Sequence, residues 1–315
     1  MRMRLALRPL VPRRRWFSVI KSAAVDTALN LGEFVATNRS KLRPPVSNCL
    51  LYSGQQLKVM IVGGPNQRDD FHVEAGEEFF FQLTGGMDLD LMQGGKRTRL
   101  PIKEGHVFVL PRDIPHSPQR YADTIGLVIE RTRAKHELDE LRWYVPNTNR
   151  VLYAEKFHCT DLGTQIKAVI DRFMASDLSG RLLDKTGREE DGAATATEPP
   201  IHTPLPASLA AAVAAAAGPG RHTLVDSEFQ AVVYKGPRLE DKASPPWALS
   251  KVDGQEVFLL QLGGRSELAC AAGNTLVTLS TGQACLLSGN SGVQAVRQYG
   301  PADALIAVHT TARLI

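Results

Sequence analysis

Short apolar runs of strand length, each closed by glycine, proline or asparagine, recur along this chain and constrain its fold more than any other feature. Between Pro44 and Arg131 they read LKVMIVGG, EEFFFQLTGG, MDLDLMQGG, HVFVLP and TIGLVIE. Their spacing of roughly 8 to 12 residues is that of a sandwich or barrel. MDLDLM alternates apolar and acidic residues, as a half-buried strand does. The pattern then returns. QEVFLLQLGG, from Gln255, aligns without a gap on EEFFFQLTGG, from Glu77, which sets Glu256 on Glu78 and Gly263-Gly264 on Gly85-Gly86. GQACLLS, from Gly282, is similar to GHVFVLP, from Gly105. A mainly β chain built as a duplicated jelly-roll barrel is expected.

Helical spacing is confined to a few places. Residues 26–42 are expected to form a short helix ended by Pro44-Pro45. In 134–145 the spacing of Leu138, Leu141 and Trp143 reads as helical, and in 162–175 Ile166, Val169, Ile170 and Phe173 share one helical face. The domains expected are a basic extension (1–25), a first barrel with flanking helices (26–175), a linker rich in proline and alanine (176–222) and a second barrel (223–315).

With 315 residues, 43% of them hydrophobic and 22% charged, the chain can bury two cores. Its net charge of +4 is concentrated at one end: Arg2, Arg4, Arg8, Arg13, Arg14, Arg15 and Lys21 precede the first acid, Asp26. Without those seven, 30 basic residues face 33 acidic ones, so the body has no surplus charge for nucleic acid. The arginine-rich start, interleaved with Leu5, Leu7, Leu10, Trp16, Phe17 and Ile20, suits a mitochondrial presequence, with a plain basic tail as the alternative. The compartment is therefore read as mitochondrial or cytoplasmic. No stretch nears the roughly 18 apolar residues of a membrane-spanning helix, and no membrane partner is expected. Cys49, Cys159, Cys270 and Cys285 form no C-x-x-C pair, which excludes the usual thiolate zinc sites.

Against this background DDFHVEAGEEFFFQLTGG (69–86) is anomalous, because it mixes five carboxylates and a histidine with phenylalanines. Strand alternation sends His72 and Glu74 to one side and Phe71 and Val73 to the other. If His72 lies inside the barrel, Glu78 on the adjoining strand can face it, and a metal ion would remove the cost of the buried carboxylate. His116, in LPRDIPHSPQR, is the best third ligand. Two imidazoles and one carboxylate make the facial triad of a non-haem Fe(II) oxygenase, although zinc uses the same ligand types. Glu74 and Glu77 are placed at the rim or in solvent. His106, His136, His158, His202, His222 and His309 are treated as structural or exposed.

His72-x-Glu74-x3-Glu78-x6-Gly85 is similar to the first cupin motif, with Glu74 where many cupins have a second histidine. Gly105-x5-Pro111-x4-His116 is similar to the second, with Asp113 replacing its usual glycine. PPVSN (44–48), QLKVMIVGGPNQRDDFH (56–72), GEEFFFQLTG, LPRDIPHSPQRYADTIGLVIERTR (110–133) and DELRWYV together resemble the 3-hydroxyanthranilate 3,4-dioxygenase family. The strong resemblance spans about 44–175, and a weaker one covers the second barrel, as in animal-type members. It implies a duplicated cupin with Fe(II) on His72, Glu78 and His116. It further implies substrate contacts from Arg120, Glu130, Glu78 and Asn48, an oxygen-site Arg68, and 3-hydroxyanthranilate and O2 as substrates. Glu130 would neutralise Arg120 before substrate arrives. In the second barrel Ser250 matches His72 and Val293 matches His116, so that barrel is expected to carry no metal. A chain duplicated in this way is expected to be monomeric. Two other readings stand beside this one. A zinc cupin isomerase would need clustered lysines around its pocket. A ligand-binding cupin without catalysis should show decayed ligands in both barrels.

Overall fold

The apolar runs become strands, and from Leu57 to Tyr144 the chain passes back and forth between two facing sheets, which is the jelly-roll arrangement. The computed structural model describes residues 27–44, 47–180, 205–237, 244–249, 254–300 and 304–312. The basic start, residues 181–204, His202 and Ser250 lie outside the described residues. In the first barrel one sheet runs Ala207–Ser208, His106–Leu110, Glu78–Thr84, Ile125–Arg131, Leu57–Gly63, Asn48–Ser53. The facing sheet runs Val151–Phe157, Asp139–Tyr144, Phe71–Val73, His116–Arg120, Met87–Gln93, Lys96–Ile102. Between them Met60, Phe80, Leu89, Leu91, Phe108 and Val128 fill the interior.

The second barrel repeats the plan. Leu29–Asn30, Gln283–Leu287, Val257–Gly263, Ala304–Thr310, Phe229–Lys235 and Gly220–Asp226 form one sheet, and Trp247–Ala248, Val293–Gln298, Arg265–Cys270 and Thr275–Ser280 face it. The mainly β, two-barrel architecture expected from the repeat is thus present. The sheet of Leu57–Gly63 in the first barrel and the sheet of Phe229–Lys235 in the second pack on each other through one continuous core. Leu57, Val59, Ile61, Phe79, Phe81 and Ile129 meet Phe229, Val233, Phe258, Leu260, Ile306 and Val308. Strands buried on both faces explain why runs such as EFFF and VFLL show no polar alternation.

The repeats exchange their first elements. Leu29–Asn30 precedes the first barrel but pairs with Gln283 and Ala284 of the second. Ala207–Ser208 precedes the second barrel and pairs with His106 and Val107 of the first. Each leads into a helix, Leu31–Asn38 capped by Asn30 or Leu209–Ala215 capped by Ser208. Equivalent backbone bonds of 2.9 Å, Leu31 N to Gly282 O and Leu209 N to Gly105 O, fix both. Residues 207–215, which composition places in the connecting segment, are therefore the counterpart of 29–37. Alanines hide this, since little but Leu209 is buried there.

Two sequence expectations change. Asp139–Tyr144 is a strand between Phe71–Val73 and Val151–Phe157, where 134–145 was expected to be helical. Leu141 and Trp143, two residues apart, are buried on one side while Leu138 is 51% exposed, so the operative period is two. The ungapped repeat alignment is also shifted by one. Glu78 pairs with Leu110 as Val257 pairs with Leu287, which makes Glu256 the counterpart of Glu77. What the repeat preserves is the left-handed glycine, Gly85 at φ 64° and Gly264 at φ 69°, together with Gln82 and Gln261, each bonded to the carbonyl two residues on. Gly263 is an ordinary strand residue in the place of Thr84. Among the described residues no helix is long and apolar enough to cross a membrane.

Candidate metal centre

His72 sits on a three-residue strand whose pleat turns Phe71 away, towards Met92 and Tyr144, and turns His72 into the barrel. The same pairing sets His72 directly opposite His116. The two rings lie 5.5 Å apart between centroids. Each has one nitrogen engaged outside the cavity: His72 Nε2 lies 3.0 Å from Asp139 Oδ2, and His116 Nδ1 lies 3.0 Å from Ile114 O. The other nitrogen of each ring is thereby aimed inward, an orientation that second-shell bonds impose at metal sites.

Glu78 opens the strand on the facing sheet, and its Oε2 is 3.0 Å from His116 Nε2. His72, Glu74 and His116 offer ligand atoms within 4.8 Å of one another, and so do Glu74, Glu78 and Glu130. Glu74 is 2% exposed, not at the rim as expected. Strand alternation puts it on the side of His72, and Arg133, at 2.6 Å, makes its burial tolerable. Glu77 faces the second barrel, accepting from Ser227 Oγ at 2.6 Å and Phe229 N at 2.9 Å.

Arg133 and Asp139 are site residues that the sequence reading missed. The Arg133 guanidinium bonds Glu130 at 2.9 Å and both oxygens of Asp139 at 2.9 Å, in addition to its contact with Glu74. Glu130 is thus neutralised by Arg133 and not by Arg120, as was expected. Arg120 lies farther along the barrel, at the level of Gln82, whose Oε1 is 3.4 Å from its Nη1. The signal for Asp139 was masked because its segment reads as helical. Nothing in ERTRAK distinguishes Arg133 from its neighbours.

The electrostatics of this wall are unbalanced. Glu74, Glu130 and Asp139 are buried around one guanidinium, and Glu78 is buried beside His116. Burial opposes the charge of Asp139, but the His72 bond and Arg133 outweigh it and hold the carboxyl well below the usual range. Burial pushes Glu74 well above the usual carboxylate value and Glu130 up to about 7, with Arg133 opposing both. For Glu78 burial is outweighed by the two histidines and Arg120, and its pKa falls. Burial lowers the His72 pKa, favouring a neutral, ligating imidazole. Glu74 Oε1 lies 2.6 Å from Arg133 and Glu78 Oε2 lies 3.0 Å from His116 Nε2, ion-pair contacts without good hydrogen-bond geometry, and Glu74 Oε2 is buried with no hydrogen bond. Two buried imidazoles beside buried carboxylates are a donor set that a divalent cation uses, so these residues fit a metal.

Asn48, Arg68, His72, Glu78, His116, Arg120 and Glu130, the seven residues singled out from the sequence, all line one cavity of about 500 Å³. Met60, Val62 and Val128 supply an apolar wall, and Ile166 and Ile170 of helix Leu162–Met174 close the mouth with Trp143. Arg68 is tied to Asp70. In the second barrel the register puts Val293 opposite Cys270 as His116 stands opposite Leu91, in agreement with the sequence. Gln298 likewise takes the place of Arg120 and His309 that of Glu130. His309 is buried with neither ring nitrogen hydrogen-bonded. His158 and His222 bond backbone carbonyls, and His136 is exposed.

Residues 24–174 match a family model described as 3-hydroxyanthranilic acid dioxygenase. The chain is 48% identical over 153 residues to a mouse protein named 3-hydroxyanthranilate 3,4-dioxygenase, covering 49% of this chain and 53% of that protein. It is 51% identical over 153 residues to the bovine protein of the same name, with the same coverage. The chain spans about half the length of the curated relatives it matches. Among solved structures, a cupin 2 conserved barrel domain protein from Leptotrichia buccalis is similar over 93% of this chain and 100% of that one, with a TM-score of 0.47 and 9% identity.

Proposed function

We propose that the protein is an Fe(II)-dependent dioxygenase that opens the ring of 3-hydroxyanthranilate, on the match of residues 24–174 to the family model described as 3-hydroxyanthranilic acid dioxygenase and on the geometry of the site. One observation carries the reading. The imidazoles of His72 and His116 and the carboxylate of Glu78, all buried, line one cavity of about 500 Å³ with the buried Arg120.

His72, His116 and Glu78 would hold the metal, and Glu78 is preferred to Glu74 because Arg133 already engages Glu74. Bound there, Fe(II) would relay electrons from the substrate ring to dioxygen and offer open positions for the hydroxyl and amino groups of the substrate. Arg120 binds the substrate carboxylate with its planar fork. Burial lowers its pKa to about 10, which leaves it cationic at neutral pH. Glu130, raised to about 7 by burial, exists in both protonation states near neutrality and can take the hydroxyl proton. Asn48 orients the ring against Met60, Val62 and Val128, and Arg68 presents positive charge on the oxygen side. Both oxygen atoms enter the product as the ring bond beside the hydroxyl-bearing carbon breaks. The product, 2-amino-3-carboxymuconate semialdehyde, closes with loss of water to quinolinate, an NAD precursor. The arginine-rich start favours the mitochondrion, and the family resemblance favours the cytoplasm.

The test is anaerobic loading with Fe(II), followed by oxygen uptake and product absorbance with 3-hydroxyanthranilate, beside His72→Ala. One O2 consumed per ring-opened product, abolished in the variant, is the expected result. No uptake by folded, iron-loaded protein would refute the assignment.

A further inference from the structure

The loop 74–78 joins the His72 strand to the Glu78 strand, so its shape sets where the Glu78 carboxylate points. It is held from the second barrel. Glu228 accepts from Glu77 N at 2.7 Å through one oxygen and from Arg131 Nε at 2.5 Å through the other. Arg131 in turn donates to Ala75 O at 3.2 Å and is clamped by both oxygens of Glu137, at 2.6 and 2.7 Å. Gly76 lies flat on that guanidinium, since a Cβ there would come within 2.9 Å of Arg131 Nε.

The internal repeat provides a comparison inside the same molecule. Thr132 N bonds Gln56 O at 2.7 Å as Thr311 N bonds Glu228 O at 2.8 Å, which makes Gln56 the counterpart of Glu228. Leu57 pairs with Arg131 as Phe229 pairs with Thr310, so Thr310 is the counterpart of Arg131. The backbone tether recurs, with Glu256 N bonded to Gln56 Oε1 at 2.9 Å. The charges do not. A glutamate and an arginine stand where the metal loop is held, and a glutamine and a threonine stand at the equivalent place. If the tether served only to join the barrels, the neutral version would suffice on both sides.

We propose that Glu228 is a positioning residue for the metal centre, fixing the loop 74–78 through Glu77 N and Arg131 and so aiming Glu78 from the opposite barrel. This rests on the reading of the site as a metal centre. Support of this kind at metal sites is worth about 10–100-fold in affinity.

The experiment compares the full-length wild type with Glu228→Gln, Arg131→Lys and, as an interface control, Glu256→Gln. Glu256 caps the turn at Gln55, Gln56 and Leu57 across the same interface but does not touch the metal loop. Each protein is titrated anaerobically with Co(II), read by its visible absorption, and melted without metal. Glu228→Gln and Arg131→Lys are expected to bind Co(II) about tenfold more weakly and with a changed band pattern. Glu256→Gln is expected to lower the melting temperature while leaving affinity and spectrum as in the wild type. Folded Glu228→Gln and Arg131→Lys with wild-type affinity and spectrum would overturn the proposal, as would an equal change in Glu256→Gln. A wild type that takes up no Co(II) would instead refute the metal reading itself.

Discussion

Arg133 illustrates how much of this site rests on a residue with no motif to mark it. It compensates Glu74, Glu130 and Asp139 at once, and Asp139 orients His72. Arg133→Met keeps the bulk but leaves three buried carboxylates without their cation. It is expected to cost about 3–5 kcal/mol in chemical denaturation of the metal-free protein. The ligand candidates were legible because a histidine and carboxylates in an otherwise apolar strand are conspicuous. Their supports were not, because an arginine and an aspartate in a charged segment look like solvent-facing residues until the fold brings them together. Gly126 is a similar case. A Cβ there would lie 2.6 Å from Arg120 Nη1 and 3.0 Å from Gln82 Oε1, so the glycine makes room for the Arg120 guanidinium. For Gly126→Ala we expect KM for 3-hydroxyanthranilate to rise about tenfold, with a smaller change in kcat, in steady-state kinetics.

At the scale of elements, strand positions were readable wherever apolar runs ended in glycine or proline. The register between repeats was not, because it follows a left-handed glycine and not residue identity. Asp139–Tyr144 escaped for a related reason, its short apolar set fitting either period until strands on both flanks were in place. The hairpin formed by Met87–Gln93 and Lys96–Ile102 shows what holds an outer strand to the barrel. Asp90 accepts from Arg99 at 2.6 and 2.9 Å and from Arg97 at 2.8 Å. Burial alone would raise its pKa, but the two arginines outweigh that and depress it. A carboxyl depressed in the folded state stabilises it above the unfolded value of about 3.9, and that contribution is lost as pH falls through the folded value. Asp90→Asn is therefore expected to be less stable than wild type at neutral pH and to converge with it below about pH 4. Denaturation midpoints measured across that range would check this.

At the scale of the molecule, the barrels share the apolar face that a lone jelly roll would have to cover by pairing with a second chain. The full chain is therefore expected to be monomeric by light scattering, whereas a chain ending at residue 180 should associate or precipitate through Leu57, Ile61, Phe79, Phe81 and Ile129. The exchange of first elements also has a consequence in time. A ribosome releases Leu29–Asn30 at the outset of synthesis, yet the edge it completes belongs to Gln283–Leu287, among the last strands made. Ala207–Ser208 has no such wait, because His106 and Val107 are already in place when it emerges. The order of translation therefore separates two joints that are equivalent in the finished molecule, completing the first barrel's edge early and leaving Leu29–Asn30 to dock last.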